Sequence, residues 1–133
     1  MKYLTVLIFL LVSATAFGQQ ATVNPTTVEF TASADHNTTV LGGTEPMLNR
    51  YELRMFLENA SQPISNYDLG KPTPDGNNKI TVVNPTWFIS LAMNVRHVAR
   101  IAAIGPYGET VSEASNPFGD VKAPVTATNL VVK

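Results

Sequence analysis

The sequence predicts an all-β protein, and three observations carry that prediction. Apolar and polar residues alternate with period two in several runs, as they do in strands that bury one face. Clusters of Gly, Pro, Asn, Asp and Ser separate these runs, which is typical of turns. No stretch has the i, i+3, i+4, i+7 apolar spacing of an amphipathic helix over three turns. Short strands separated by turns favour an antiparallel β-sandwich or a barrel.

The composition excludes several classes of protein. The 133 residues include 9 Lys and Arg against 10 Asp and Glu, for a net charge of −1. Nucleic-acid binding normally needs clustered positive charge, so nucleic acid is not an expected partner. Because the sequence has no cysteine, it has no disulfide, thiolate nucleophile or Cys-ligated metal. One domain is expected at this length.

Residues 1–18 have the features of a signal peptide. An apolar run from Leu4 to Val12 precedes small residues at Ala16 and Gly18, which stand three and one positions before Gln19. The run is shorter than the roughly 20 residues that a membrane-spanning helix needs. We therefore expect cleavage before Gln19 and a protein that is secreted or extracellular, whether in a periplasm, on a cell surface or in the medium. An uncleaved anchor is the alternative. No later segment is predicted to span a membrane.

Four runs after the signal peptide are predicted to be strands. The residues that share one face of each run are, in chain order, Val28, Phe30 and Ala32; Tyr51, Leu53, Met55 and Leu57; Ile80 and Val82; and His97, Ala99, Ile101 and Ala103. Turn formers lie between these runs at Gly42-Gly43, Asn59 to Asn66, Pro72 to Asn78 and Pro106-Tyr107-Gly108. Gly and Asn tolerate positive φ, and Pro presets the first position of a turn.

Taken in order, these segments resemble the fibronectin type III domain in its bacterial form. Tyr51 to Arg54 resembles the third strand of the family, and Asp68 to Pro72 resembles the stretch that follows it. His97 to Ala103 resembles the sixth strand. Gly105 to Glu109 resembles the last loop, and Ser112 to Phe118 resembles the last strand. The resemblance covers Thr22 to Phe118 and implies an immunoglobulin-like antiparallel β-sandwich. It divides the chain into the signal peptide, a domain at residues 19–119, and a linker and strand-like tail at residues 120–133.

The chain departs from the family pattern in two places. His97 occupies the position of the family's corner tyrosine, which weakens the usual tie between a hydroxyl and the backbone. We expect His97 to be a hydrogen-bonded core side chain. The first strand is also thin, because only Gln19 to Thr27 precede Val28 in the processed chain.

The sequence carries no recognisable catalytic motif. GxSxG, HExxH, P-loop and GxGxxG patterns are all missing. Asp35-His36-Asn37 offers potential metal ligands, but the combination is typical of a turn. Asp75-Gly76-Asn77-Asn78 lacks the further oxygens and closing Glu of a calcium loop, so a turn between two strands is the better interpretation. We predict a protein that is not an enzyme and has no metal or cofactor. A small extracellular hydrolase is the least favoured alternative.

Candidate binding residues are predicted on the surface. Phe56, Val98, Ala102 and Ile104 are expected on the outer face of one sheet beside Arg54 and Arg100, and this face is more apolar than a solvated one. Tyr107 lies at the tip of the last loop. Of the adjacent residues Trp87 and Phe88, one is expected in the core and the other partly exposed, and Trp87 is the second aromatic candidate. Ordinary surface is the alternative for all of them. The interface residues predicted in the domain and tail are Phe56, Val98, Arg100, Ile104, Tyr107, Trp87, Leu130, Val131 and Val132.

The tail is the least expected feature of the sequence. Val125 to Lys133 is β-prone, and its two faces are formed by Ala127, Asn129 and Val131, and by Thr128, Leu130 and Val132. A strand of this kind without a partner would be an exposed edge. The tail of one copy can add a strand to the domain of the next copy, whose first strand is thin. Such a contact is heterologous, so it produces a ring or a filament. Pairing within its own domain and a disordered tail are the alternatives.

The predicted function is a secreted structural or interaction module whose partner is a protein, including a second copy of itself. In its self-assembling form, the tail links copies head-to-tail into an extracellular filament. The alternative is a carbohydrate-binding or adhesion module in which Trp87 and Tyr107 contact a polysaccharide. The fold alone does not choose between them, since it hosts many unrelated roles.

Overall fold

The computed structural model describes residues 20–122 and 131–132, and its regular structure is almost entirely β. The strands in this part of the chain are β1 (Thr22–Val23), β2 (Thr27–Thr31), β3 (Arg50–Leu57), β4 (Ser65–Gly70), β5 (Lys79–Val83), β6 (His97–Gly105), β7 (Gly108–Val111) and β8 (Phe118–Gly119). The helical elements described are one turn, α1 (Thr86–Ile89), and a 3-10 turn at Val40–Gly42. The all-β prediction is confirmed. No described helix has the length and apolar character needed to cross a membrane.

The strands form two sheets. The larger sheet has the order β1-β8-β6-β3-β4, and β7 pairs with β6 beside β8. Its centre is the antiparallel pair β3 and β6, which runs from Arg50 opposite Ile104 to Leu57 opposite His97. The smaller sheet contains β2 and β5, paired in antiparallel fashion.

One pair differs from the antiparallel prediction, because β1 and β8 run parallel. The reason is the short connection to β2. The chain reverses at Asn24, whose φ is 47°, and at Pro25, so β1 runs opposite to β2. β8 runs antiparallel to β6, which has the same direction as β2, so β1 and β8 run in the same direction.

The hydrophobic core lies between the two sheets in two clusters. The first contains Leu53, Met55, Phe88, Leu91 and Phe118, with Val28 of the smaller sheet packed against it. The second contains Ala32, Leu48, Tyr51 and Ile80. The alternation predicted for β3 is confirmed at Tyr51, Leu53 and Met55, which are 1% exposed or less. Leu57 is exposed, because it stands at the end of β3 beyond the first cluster.

These clusters align the two sheets and define two ends of the molecule. Ala32 and Ile80 pack with Tyr51 in one cluster, and Val28 packs with Met55 in the other. The strands β2, β4 and β6 therefore run in the same direction, opposite to β3 and β5. We call the end that holds residues 32–49, 71–78 and 105–108 the loop pole. The end that holds residues 20–26, 58–64, 84–96 and 116–122 is the terminal pole.

Tyr51 attaches the loop after β2 to the core. The Ser33 amide donates to the Tyr51 hydroxyl at 3.0 Å, and that hydroxyl lies 2.9 Å from Nδ1 of His36. Because the hydroxyl accepts from Ser33, its own proton is available to His36, whose Nδ1 then accepts it. The His36 ring is buried and stacks on the Tyr51 ring at 5.8 Å. Burial of the phenol raises the pKa of Tyr51, which keeps the hydroxyl protonated as a donor.

Replacing Tyr51 with Phe should destabilise the fold by about 1–3 kcal/mol, since the Ser33 amide and His36 Nδ1 would both lose a partner in a buried position. The control is Tyr67→Phe, whose hydroxyl makes only a 3.5 Å contact with the carbonyl of Trp87. We expect this control to lose much less stability. Urea unfolding of both variants measures the difference, and equal losses would contradict the role given to Tyr51.

Candidate functional site

The outer edge of β2 is the most distinctive feature of the smaller sheet. Among residues 20–122 and 131–132, β5 is the one strand that pairs with β2. The Ala32 amide donates to Asn78 and the Asn84 amide donates to Thr26, so the even-numbered residues of β2 carry the hydrogen bonds to β5. The N–H and C=O groups of Thr27, Glu29 and Thr31 therefore face the other edge. The side chains of these three residues are exposed.

A groove of about 130 Å³ lies beside this edge. Thr27 and Glu29 of β2 line it, together with Ser115 and Asn116 and with Thr22 and Pro25 of the segment before β2. Three core side chains, Val28, Phe88 and Phe118, also line it. An edge strand beside an apolar groove is the arrangement that strand addition uses, with main-chain hydrogen bonds on one side and side-chain pockets on the other.

The segment before β2 lines the groove through Thr22 and Pro25, but its backbone pairs with the larger sheet and not with the β2 edge. The Thr22 amide donates to Pro117 at 2.9 Å, and the Asn24 amide donates to Gly119 at 3.0 Å. The Asn24 side chain then accepts the Val121 amide at 2.9 Å. These bonds direct the chain away from β2 until it turns at Pro25. The sequence indicated a thin first strand, but not which sheet it joins.

The far wall of the groove differs from the strand that the resemblance implied over Ser112 to Phe118. Regular pairing ends at Val111, and the next short strand begins at Phe118. Between them, the Ser112 and Ser115 hydroxyls accept the amides of Ile101 and Ala99, each at 2.9 Å. The serine hydroxyls thus accept the β6 amides that the carbonyl groups of a neighbouring strand would otherwise accept. Because this needs no β alternation, the period-two pattern could not find it.

The predicted apolar outer face requires a correction. Phe56 is 7% exposed and Ala102 is fully buried, so neither presents the expected exposed surface. Val98, Arg100 and Ile104 are partly buried. The cause is a layer of ion pairs and loop residues on this face. Phe56 and Arg100 line a shallow depression with loop residues 60–63, and Arg54 crosses the face to Glu109.

The ion pairs on this face centre on Arg54. Its guanidinium donates to Glu52 at 2.7 Å and to Glu109 at 2.6 and 2.9 Å. Arg50 donates a further hydrogen bond to Glu52 at 3.1 Å. The hydrogen bonds from Arg54 lower the pKa of both carboxyl groups, and Glu109 contributes most to raising the pKa of Arg54. All these charges are satisfied within the fold, so the network fits a role in covering the sheet.

The two aromatic candidates lie at opposite ends of the molecule. Tyr107 is 77% exposed at the loop pole, where its hydroxyl lies 3.3 Å from Glu45 Oε2. Trp87 is partly buried in α1 at the terminal pole and stacks on Tyr67 at 5.3 Å. The strand directions therefore do not bring Trp87 and Tyr107 together into one aromatic platform.

The two histidines are also separated. His36 lies at the loop pole and His97 begins β6 at the terminal pole. His97 is fully buried, as expected, and its Nδ1 lies 2.9 Å from the Val95 carbonyl. The ring is hydrogen-bonded on one side only, because Nε2 has no protein partner in the described part of the chain. Within that part, no three His, Cys, Asp or Glu residues are grouped as metal ligands would be.

The turn interpretations of the two polar segments agree with the structure. Asp35 accepts a hydrogen bond from the Thr38 hydroxyl at 3.1 Å. Asp75 accepts the amides of Asn77 and Lys79 at 2.8 and 2.9 Å, so its carboxylate closes the turn before β5. That turn connects strands of different sheets, since β4 belongs to the larger one.

Several predictions fall on residues outside the described ranges. These are the signal peptide at residues 1–18 and the tail at residues 123–130, including Leu130. Val131 and Val132 are described, and they are 69% and 90% exposed.

The stability of the fold should decrease as the pH falls through the range in which His36 titrates. Burial, assisted by the charge of Lys71, lowers the pKa of His36 below 6.5. The unfolded chain therefore binds this proton more readily, and the contribution that is complete well above pH 6.5, the ordinary pKa of histidine, is lost as the pH falls below it. His36→Asn, which keeps an acceptor for Tyr51, should remove this slope.

Unfolding free energies measured in urea across the pH range test this assignment. Below about pH 4.5 both proteins should lose stability together, because Glu52 and Glu109 have lowered pKa values and become protonated there. Parallel curves for the two proteins at pH values above this acidic range, where only a histidine would titrate, would show that His36 is not the titrating group.

Known proteins give no guide to the function of the chain. No family model matches it, and no curated protein or solved structure is significantly similar to it. The free edge of β2 and the groove beside it are therefore the features on which a function can be proposed.

Proposed function

We propose that the protein is a secreted, non-catalytic structural module that assembles head-to-tail, with the tail of one copy added as a strand to β2 of the next. The observation that carries the proposal is the β2 edge that no described strand covers, where Thr27, Glu29 and Thr31 direct their backbone groups outward beside a groove with Val28, Phe88 and Phe118 in its lining. Residues 1–18 support secretion through their signal-peptide pattern.

The proposed fold is an immunoglobulin-like sandwich of the fibronectin type III kind. Its support is the packing of the β2 and β5 sheet over the larger sheet, with both core clusters between them. In this fold the added tail would take the place beside β2 that residues 22–24 leave when they pair with β8. The tail would thereby extend the smaller sheet to three strands.

The tail has the length that this contact requires. The nine residues from Val125 to Lys133, when extended, span about 30 Å at 3.3 Å per residue. The five residues of β2 span about 17 Å by the same measure. Leu130 and Val132 share one face of the tail, so both can point toward Val28 and Phe88 in the groove.

The exit point of the tail sets the direction of stacking. The described chain reaches Lys122 at the terminal pole, directly after β8. If the next copy places its loop pole there, the tail runs along that copy from the loop pole toward the terminal pole. Since β2 runs the other way, the added strand would be antiparallel to it. Copies joined in this manner form an open filament or a ring.

Deleting residues 123–133 should convert the assembled protein to monomers, because each copy would lose the strand that it donates. Sedimentation and electron microscopy of protein purified after export measure the change. A synthetic peptide of residues 123–133 should bind the truncated protein, whose β2 edge is open. Assembly of the truncated protein to the same mass would contradict the proposal and leave pairing of the tail within its own copy as the interpretation.

Glu29→Pro should weaken assembly at least tenfold while the monomer remains folded. The substitution removes an N–H that faces the free edge, and proline is tolerated at edge positions of this kind. The matched control is Thr81→Pro, since Thr81 is opposite Glu29 and its N–H faces the other edge of the same sheet. The assembly constants of the two variants, measured by sedimentation, should differ. Equal weakening by both would show that the β2 edge is not the contact.

A further inference from the structure

Leu41 has an unusual combination of backbone conformation and exposure. Its φ of 51° lies in the left-handed region, and among the described residues it is the one with positive φ that is neither Gly nor Asn. Leucine is disfavoured there because its Cβ crowds the following carbonyl group. Its side chain is also fully exposed at the loop pole. A strained residue that displays an apolar side chain is a basis for a functional hypothesis.

The loop around Leu41 is held by regular backbone hydrogen bonds. The Val40 amide donates to the Glu45 carbonyl at 2.7 Å, and the Gly43 amide donates to the Val40 carbonyl at 2.9 Å. The Met47 amide donates to Thr38 at 3.0 Å and continues this short ladder. Leu41 therefore stands at the tip of a built loop, with its side chain pointing away from the domain.

An apolar pocket lies at the opposite end of the molecule. It has a volume of about 260 Å³ at the terminal pole, and Pro25, Pro85, Phe88, Ile89 and Met93 line it. Ile89 is 72% exposed and Met93 is 42% exposed, although both are large apolar residues. We call this feature the pole pocket. Exposed apolar surface grouped in this way often marks an interface.

We propose that Leu41 of one copy inserts into the pole pocket of the next copy. The chain thus supplies both an apolar tip and an apolar receptor, and they lie at opposite poles. A contact between two different surfaces of the same protein is heterologous, so it joins copies in series. Insertion would bury the exposed Leu41 side chain against Ile89 and Met93, which gives the strained loop a favourable contact.

This contact rests on the proposed function only for its stacking direction. If tail addition stacks the loop pole of one copy against the terminal pole of another, the same placement brings Leu41 to the pole pocket. The two contacts use different parts of the receiving copy, since β2 accepts the tail while the 40–43 loop carries Leu41. They can therefore fail separately.

Substitutions at Leu41 separate the apolar contact from the backbone strain. Leu41→Met keeps a long apolar side chain and should leave assembly of the full chain within twofold of the unmodified protein. Leu41→Ala should weaken assembly at least tenfold. Leu41→Asn should weaken it as much, while raising the unfolding midpoint of the monomer, because Asn tolerates positive φ. Wild-type assembly by Leu41→Ala would overturn the proposal, as would a purely monomeric unmodified protein.

The pole pocket is tested with Ile89→Lys, which places a charge at its exposed wall and should weaken assembly at least tenfold. Ile64→Lys is the matched control, because Ile64 is 49% exposed at the same pole but does not line the pocket. Equal effects of the two substitutions would overturn the assignment of the pocket.

Mixing variants tests whether the two sites bind each other. Leu41→Ala retains an intact pole pocket, and Ile89→Lys retains an intact Leu41. At a concentration where each variant alone is monomeric, an equimolar mixture should therefore form one-to-one dimers. A mixture that stays monomeric would overturn the proposal.

The failure of tail addition can be recognised separately. Association that survives deletion of residues 123–133 but not Leu41→Ala would support the Leu41 contact and contradict tail addition. The reverse pattern, in which the deletion abolishes association and Leu41→Ala leaves it unchanged, would overturn the Leu41 contact alone.

Discussion

The structure depends on the packing of a two-stranded sheet against the larger one. Two strands alone are marginally stable in water, so β2 and β5 require an apolar surface to cover. Val28 and Ile80 supply that contact, each reaching a different core cluster. The core buries the apolar side chains on the inner face of the small sheet, but it provides no hydrogen-bond partners for the backbone groups at the edges of that sheet. A fold can therefore be well packed inside and still leave the backbone groups of β2 available at one side.

The pairing of residues 22–24 determines whether the β2 edge has a neighbouring strand. These residues could have run beside β2, but their amides bond to Pro117 and Gly119. Asn24 strengthens the choice, since its side chain accepts the Val121 amide while its backbone turns at positive φ. Pro25 follows and has no amide to donate. Local chemistry at two residues thus adds β1 to the large sheet and leaves the β2 edge without a partner strand among the described residues.

Much of the architecture could be predicted from the sequence, because burial imposes a two-residue period on β2, β5 and most of β3. β4 was missed, since Tyr67 and Leu69 are only partly buried among turn-forming neighbours. The prediction that Phe56 is exposed was wrong, because an ion-pair network with residues from three strands covers this face of the sheet. For the β2 edge, the sequence indicated only that the first strand is thin. Which sheet residues 22–24 join depends on hydrogen bonds to residues that are distant in the chain. Leu41 could not be found, since its φ and its exposure are properties of the folded loop.

The two proposed contacts solve a problem that neither solves alone. Five of the eight residues from Val125 to Val132 are Val or Thr, so a slip of two residues along β2 would keep every side chain on its original face and change the pairing little. Such a slip moves one copy by about 7 Å relative to the next. Leu41 would then lie outside the pole pocket, because a side chain of its size cannot follow a displacement of that length. Strand addition would supply the main-chain hydrogen bonds, and the Leu41 contact would select the single register at which copies repeat.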